Sequence, residues 1–322
     1  MSSAPSPSRS PAAGHRGASP STAIATSGLC KRYGGTRALE DLDLVVPRGQ
    51  VFGYLVPNGA GKTTTIRLLL GLHRATAGSA QVFGIDAWRE PVAAHAHVAY
   101  VSGEPALWPS LTAAETFAFL ARLQGRCDVA YRNLLVERFQ LQADRRVRAL
   151  SKGNRQKVQL IAAFATRAEL LILDEPTAGL DPLMEVAFRE TVLEAKEREQ
   201  TVFLSSHILS EVEALCDRVG ILRSGRLVDE GTLAELRHLS ARTLEVFFRD
   251  AAPALDGVPG VSVVERDGRR LRLEVSGELA PLISVLAQHP VEGLTSREPS
   301  LEEIFLHHYR EQAEGALPAA GT

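Results

Sequence analysis

Cysteine is scarce in this 322-residue chain: Cys30, Cys127 and Cys216 are odd in number and far apart, which excludes a disulfide framework and a close-spaced metal site. They read as free thiols of a reducing compartment. Lysine is nearly as rare, at 31, 62, 152, 157 and 196 alone, so arginine carries most of the positive charge. The net charge is only -2. That balance gives no electrostatic footprint for a nucleic-acid partner. No run of about 18 apolar residues occurs, so no stretch reads as a membrane span. Internal repeats are missing too.

What is present suffices for a sizeable core: hydrophobic residues make up 45% of the chain, and the length suggests about two domains. Residues 1–22 are rich in Ser, Pro and Ala and lack an apolar h-region, so they read as a disordered extension rather than a signal peptide. From 23 to 238, short β-type runs (LDLVV, VFGYLV, VAYV, LLILD, VFLSS) alternate with helical candidates near 62–72, 112–124, 153–167 and 183–199. This alternation predicts an α/β domain with a largely parallel sheet. Thr112 and Glu115 form a capping box, and the segment from about 88 to 165 is helix-rich, as an inserted subdomain would be. A second composition begins near 239. TLEVFF, VSVVE and the alternating run around Leu271–Val275, with a turn signal at Asp267-Gly268, predict a small α+β unit over 239–312, followed by a tail at 313–322.

The strongest chemical signal is Val56-Pro57-Asn58-Gly59-Ala60-Gly61-Lys62-Thr63-Thr64, between a buried strand and a helix. It fits the phosphate-binding P-loop except that Val56 stands where the pattern has glycine. Backbone N–H groups around Gly59, Gly61 and Lys62 would form an anion nest at a helix start. Lys62 would reach the outer phosphates, and the Thr63 hydroxyl would ligate Mg²⁺. If the chain needs a positive φ at position 56, the valine is strained and nucleotide handling is impaired; if position 56 is still strand-like, it is harmless. Downstream, a buried strand ends in Asp174 and Glu175, whose side chains alternate across it. Asp174 suits the Mg²⁺ shell and Glu175 the polarisation of an attacking water. Each motif has a bland counterpart: a glycine-rich turn that binds nothing, and a solvated acid pair at a strand end.

With these residues in hand, the chain resembles the ABC ATPases over about residues 25–235. Leu150-Ser151-Lys152-Gly153-Asn154 is similar to the family signature, departing from it at Lys152 and Asn154 in the manner of the drug-export branch. The resemblance implies that these residues meet a nucleotide held by the opposite subunit, on the expectation that Ser151 and Gly153 have no use within their own chain. It implies that Tyr33 stacks on adenine, that Ala178-Gly179-Leu180-Asp181 is the D-loop, and that His207 is the switch histidine at the γ-phosphate. The family's Q-loop glutamine corresponds to Gly103, with Glu104 beside it as a possible substitute. Leu107 and Trp108 in that loop suit either a socket for a membrane-subunit helix or plain packing. The ending REPSLEEIFLHHY is similar to the tail of drug-resistance export ATPases. The fold so implied is a P-loop ABC nucleotide-binding domain with an inserted helical subdomain and a small C-terminal α+β domain. The implied function is ATP hydrolysis driving export of a small molecule. Its cofactors are ATP and Mg²⁺, and its partners are a second copy or a second ATPase and separate transmembrane permease subunits. The implied place is cytoplasmic, on the inner face of the membrane. A degenerate partner with little hydrolysis, and a soluble ABC ATPase without a transport role, stay open as alternatives.

Overall fold

The computed structural model describes residues 21–57, 60–239, 242–255, 257–275, 277–297 and 300–305. The extension at 1–20, Asn58, Gly59 and everything from 306 onward lie outside the described residues. Strands β1 (Thr22–Tyr33) and β2 (Thr36–Pro47) form a hairpin that turns at Gly34-Gly35, and with β4 (Ala77–Val82) and β5 (Ile85–Asp86) they make an antiparallel sheet. The second sheet has six strands. Its parallel members are β3 (Val51–Leu55), β6 (Val98–Val101), β7 (Leu170–Asp174), β8 (Thr201–Ser206) and β9 (Arg218–Arg223), with β10 (Arg226–Thr232) antiparallel at one edge. Its order is β10-β9-β3-β8-β7-β6.

Strands buried on both faces need apolar side chains throughout, and β3, β7 and β8 are buried along their whole length. Alternation divides each between two cores. On β3, Phe52 and Tyr54 face the antiparallel sheet, while Val51 and Leu55 face the helical side. Helix α1 (Lys62–Leu69) packs in the first core, where its buried Ile66, Leu68 and Leu69 meet β3 residues, and the short α2 (Pro91–His95) adds Ala94. The second core takes α3 (Ala113–Gln124), α4 (Val129–Arg138), α5 (Lys152–Ala165), α6 (Pro182–Glu197), α7 (Leu209–Leu215) and α8 (Leu233–Leu239). The predicted capping box at Thr112 and Glu115 starts α3. Because β6 belongs to the parallel sheet, the helices that interrupt that sheet are α3, α4 and α5; the stretch near 88 that sequence joined to them holds α2 and β6 instead.

Beyond α8, β11 (Arg242–Phe248), β12 (Val261–Asp267), β13 (Arg270–Val275) and β14 (Val291–Arg297) form a third, antiparallel sheet in the order β12-β13-β11-β14, packed on α9 (Ala280–Leu286). The predicted hairpin turns at Gly268, with Asp267 opposite Arg270. The chain then returns to the first unit. Leu301 and Ile304 are buried in the same core as Leu215 and Leu236, and the Leu301 N–H donates to Glu213 Oε1 on α7 at 2.7 Å. No helix among the described residues is long and apolar enough to cross a membrane.

Candidate active site

Val56 directly follows β3: it is buried in the same core as Phe52 and Tyr54, and its backbone stays out of the left-handed region. The strain expected there is absent, because the chain has not yet turned. Ala60 N–H donates to the Pro57 carbonyl at 3.1 Å, and among the described residues of the loop the left-handed one is Gly61, with φ 114°. A Cβ on Gly61 would sit 2.7 Å from the Ala38 carbonyl oxygen and 2.8 Å from Leu39 Cδ2, so only glycine fits. Gly61 also caps α1. The Thr65 N–H and hydroxyl both donate to its carbonyl, at 2.9 and 3.2 Å, and the buried Tyr54 hydroxyl lies 3.0 Å from Thr65 Oγ1. Lys62, Thr63 and Thr64 form the first turn of α1, with the Thr63 side chain exposed. Helix N-termini carry free N–H groups and a partial positive charge suited to anions.

Asp174 is the last residue of β7, and Glu175 lies just beyond it. Asp174 is buried and accepts the Ser205 hydroxyl at 2.7 Å; Glu175 takes φ 45° while its N–H donates to the Ser205 carbonyl at 2.9 Å. A side-chain-bearing residue held left-handed costs about 1–2 kcal/mol, and such strain collects at functional sites. Lys62 Nζ hydrogen-bonds Glu175 Oε1 and lies 3.7 Å from Asp174 Oδ1. His207 Nδ1 lies 3.3 Å from the same Glu175 oxygen. Burial pushes the Glu175 carboxyl up, yet the Lys62 ammonium and then His207 hold it below the ordinary carboxylate range. Four sequence-predicted residues, Lys62, Asp174, Glu175 and His207, thus meet at one point.

Ser151 caps α5 by accepting the Asn154 N–H at 3.2 Å, and both Ser151 and Lys152 are exposed. Gly153 packs against the loop after β7, where a Cβ would lie 2.2 Å from the Gly179 carbonyl oxygen. Both Ser151 and Gly153 therefore have a use within their own chain, against expectation. Asp181 caps α6 through the Met184 N–H at 3.1 Å. Gly103 sits against the acidic strand end, its Cβ position 3.3 Å from the Asp174 carbonyl oxygen, whereas the Glu104 side chain is exposed. Trp108 stacks edge-on against Phe119 at 4.7 Å, both partly exposed. Tyr33 is 42% exposed and its hydroxyl meets His73 Nδ1 at 2.6 Å. His73 lies beyond the C-terminal end of α1, a helix about 12 Å long, so Tyr33 stands apart from the four converging residues.

Residues 39–178 match the family described as ABC transporter, and residues 231–309 match the ATP-binding protein DrrA1-3-like C-terminal domain. Over 302 residues the chain is 37% identical to the daunorubicin resistance ATP-binding protein DrrA3 of Streptomyces coeruleorubidus, covering 89% of this chain and 95% of that protein. The chain belongs to the ABC transporter ATP-binding family. It is also 36% identical to the bacitracin transport ATP-binding protein BcrA of Bacillus licheniformis, over 73% of this chain and 78% of that one. A solved ATP-binding subunit of an ABC transporter superposes with a TM-score of 0.64 at 33% identity, spanning 67% of this chain and 92% of the other.

In this ABC chain, two polar groups that sequence reasoning passed over complete the site. Ser205, quoted only as part of a strand, fixes Asp174 through its hydroxyl and Glu175 through its carbonyl. Gln156 on α5 is fully buried and donates to the Pro176 carbonyl at 3.2 Å, tying the signature helix to the chain just after Glu175. The signal for Ser205 was its place directly before Ser206-His207; a buried glutamine leaves no signal in an amphipathic helix.

Proposed function

We propose that this chain is the ATP-binding and hydrolysing subunit of an exporter that moves a small, drug-like molecule through separate membrane subunits. The convergence of Lys62, Asp174, Glu175 and His207 beside the α1 N-terminus carries this reading, and the drug-resistance relatives support it. The nucleotide's phosphates would lie on the N–H groups from Asn58 to Thr64, with Tyr33 against the adenine. Phosphate oxygens compete with Glu175 for the Lys62 ammonium. Once Lys62 turns to them, Glu175 is free to orient a water and take its proton, with His207 beside it. The donor set fits a magnesium ion brought with ATP. Thr63 is exposed in the first turn, Asp174 is held by Ser205, and among the described residues no cluster of three metal-ligating side chains could hold an ion without phosphate oxygens. Magnesium, when held by Thr63 and Asp174, supplies neutralising charge to the transferring phosphoryl group.

Ser151, Lys152, Gly153 and Asn154 make no hydrogen bond or ion pair with Lys62, Asp174 or Glu175 among the described residues, and the exposed α5 N-terminus suits the nucleotide of a second copy. Asp181 then lies in the loop that meets that copy. Residues 23–238 would form the ATP-binding unit and the stretch after 239 an accessory unit, except that Leu301 and Ile304 return to the core of the first. The exposed Trp108 loop suits a permease helix, which would hold the protein at the inner membrane face. With Val56 unstrained, the case for a degenerate subunit keeps only Gly103. The test is Glu175→Gln. Turnover should fall at least about a hundredfold, while ATP with Mg²⁺ still binds and drives the chain into a dimer on size exclusion. Undiminished turnover sinks the hydrolytic role, and a monomer under all conditions sinks the shared site.

A further inference from the structure

Strand β8 delivers Ser206 just before His207. The Ser206 hydroxyl accepts the Ile208 N–H at 3.0 Å and donates to Glu211 Oε2 at 2.6 Å. Glu211, on α7, is only 7% exposed. Its own N–H donates to the Ile208 carbonyl at 3.2 Å. The Thr177 hydroxyl, two residues past Glu175, faces the same carboxyl. The Ser206 hydroxyl therefore braces the backbone across His207, and Glu211 holds that hydroxyl in place. Buried carboxyls are rare without a paired cation. The charged groups facing this one are Glu185 and Arg189 on α6, Arg189 lies too far for an ion pair, and Glu211 Oε1 makes no hydrogen bond among the described residues. An apolar residue would fill the place at lower desolvation cost, so the carboxyl needs another reason.

We infer that Glu211 is a positioning residue that sets the place of His207 beside Glu175 by holding the Ser206 hydroxyl, which takes the Ile208 N–H on the other side of the histidine. The inference rests on the hydrolytic reading of Glu175 and His207. Burial pushes the Glu211 carboxyl above the ordinary range despite the Ser206 and Thr177 hydroxyls. The amide oxygen of a glutamine can accept the same Ser206 hydroxyl, so Glu211→Gln keeps the contact that Glu211→Leu removes.

The test uses the full chain with ATP and Mg²⁺. Glu211→Gln should keep kcat within about twofold, whereas Glu211→Leu should lower kcat about tenfold with KM unchanged. Ser206→Ala, a smaller change that guards against a folding failure, should lower kcat about threefold, again without moving KM. Wild-type kcat in both Glu211→Leu and Ser206→Ala overturns the inference. So does a loss in Glu211→Gln equal to that in Glu211→Leu, which would make the charge, not the hydrogen bonds, the working feature. Glu175→Gln run alongside separates the two levels: if it still turns over, the hydrolytic reading itself fails; if it is silent while Glu211→Leu is normal, only Glu211 is wrongly assigned.

Discussion

The loops that leave β3 and β7 start from the same rim of one parallel sheet, yet each handles its turn differently. Among the described residues after β3 the left-handed position falls on Gly61, where the Ala38 carbonyl leaves no room for a side chain. After β7 it falls on Glu175, and the side chain is kept despite the cost. On the proposed reading the first loop would hold phosphates through backbone N–H groups, so a missing side chain at Gly61 loses nothing. The second works through a carboxylate that must point at Lys62 and His207, so strain is retained to aim it. Backbone sites favour glycine; side-chain sites tolerate tension.

Three substitutions test that contrast. The largest effect should come from Gly61→Ala, which forces a Cβ into the Ala38 carbonyl. ATP affinity should fall by at least about tenfold, equivalent to about 1.4 kcal/mol, in a direct titration; unchanged affinity would break the first half of the comparison. Ser205→Ala leaves the backbone bond to Glu175 but strips the Asp174 carboxylate of its hydroxyl partner. A buried acceptor so stranded costs about 1–3 kcal/mol, and turnover should drop about fivefold to tenfold at nearly constant ATP affinity. The smallest effect on nucleotide is expected from Val56→Gly. Since Val56 is buried and outside the left-handed region, the change should cost about 1–3 kcal/mol of stability and leave ATP affinity and turnover where they were. Improved binding in that variant would restore the idea that valine deforms the loop.

The fold was legible because its signals are local. Apolar β-runs placed the parallel strands β3, β6, β7 and β8 but missed β9, and LDLVV belongs to β2 of the antiparallel sheet; Thr112 with Glu115 placed a helix start to the residue. The site was legible where a motif carries its chemistry in consecutive residues, as in Lys62 with Thr63 and Asp174 with Glu175. It was misread where three-dimensional neighbours decide. Sequence could not say whether the chain turns at position 56 or at 61, because that depends on Ala38 and Leu39. Nor could it show that Gly153 abuts Gly179, which gives the signature glycine a packing duty of its own. Glu211 carried no signal in the sequence; only its burial beside Ser206 sets it apart.

The return of Leu301 and Ile304 to the core around Leu215 and Leu236 has a consequence for how the molecule is made. On the ribosome, the first unit emerges with its last pieces still unsynthesised. At roughly 5–20 residues per second, the 86 residues from Leu215 to Leu301 take about 4–17 s to appear. Throughout that interval an apolar surface near α7 is open to whatever apolar chain comes first. Completion of the ATP-binding unit is therefore timed by translation of the far end of the chain.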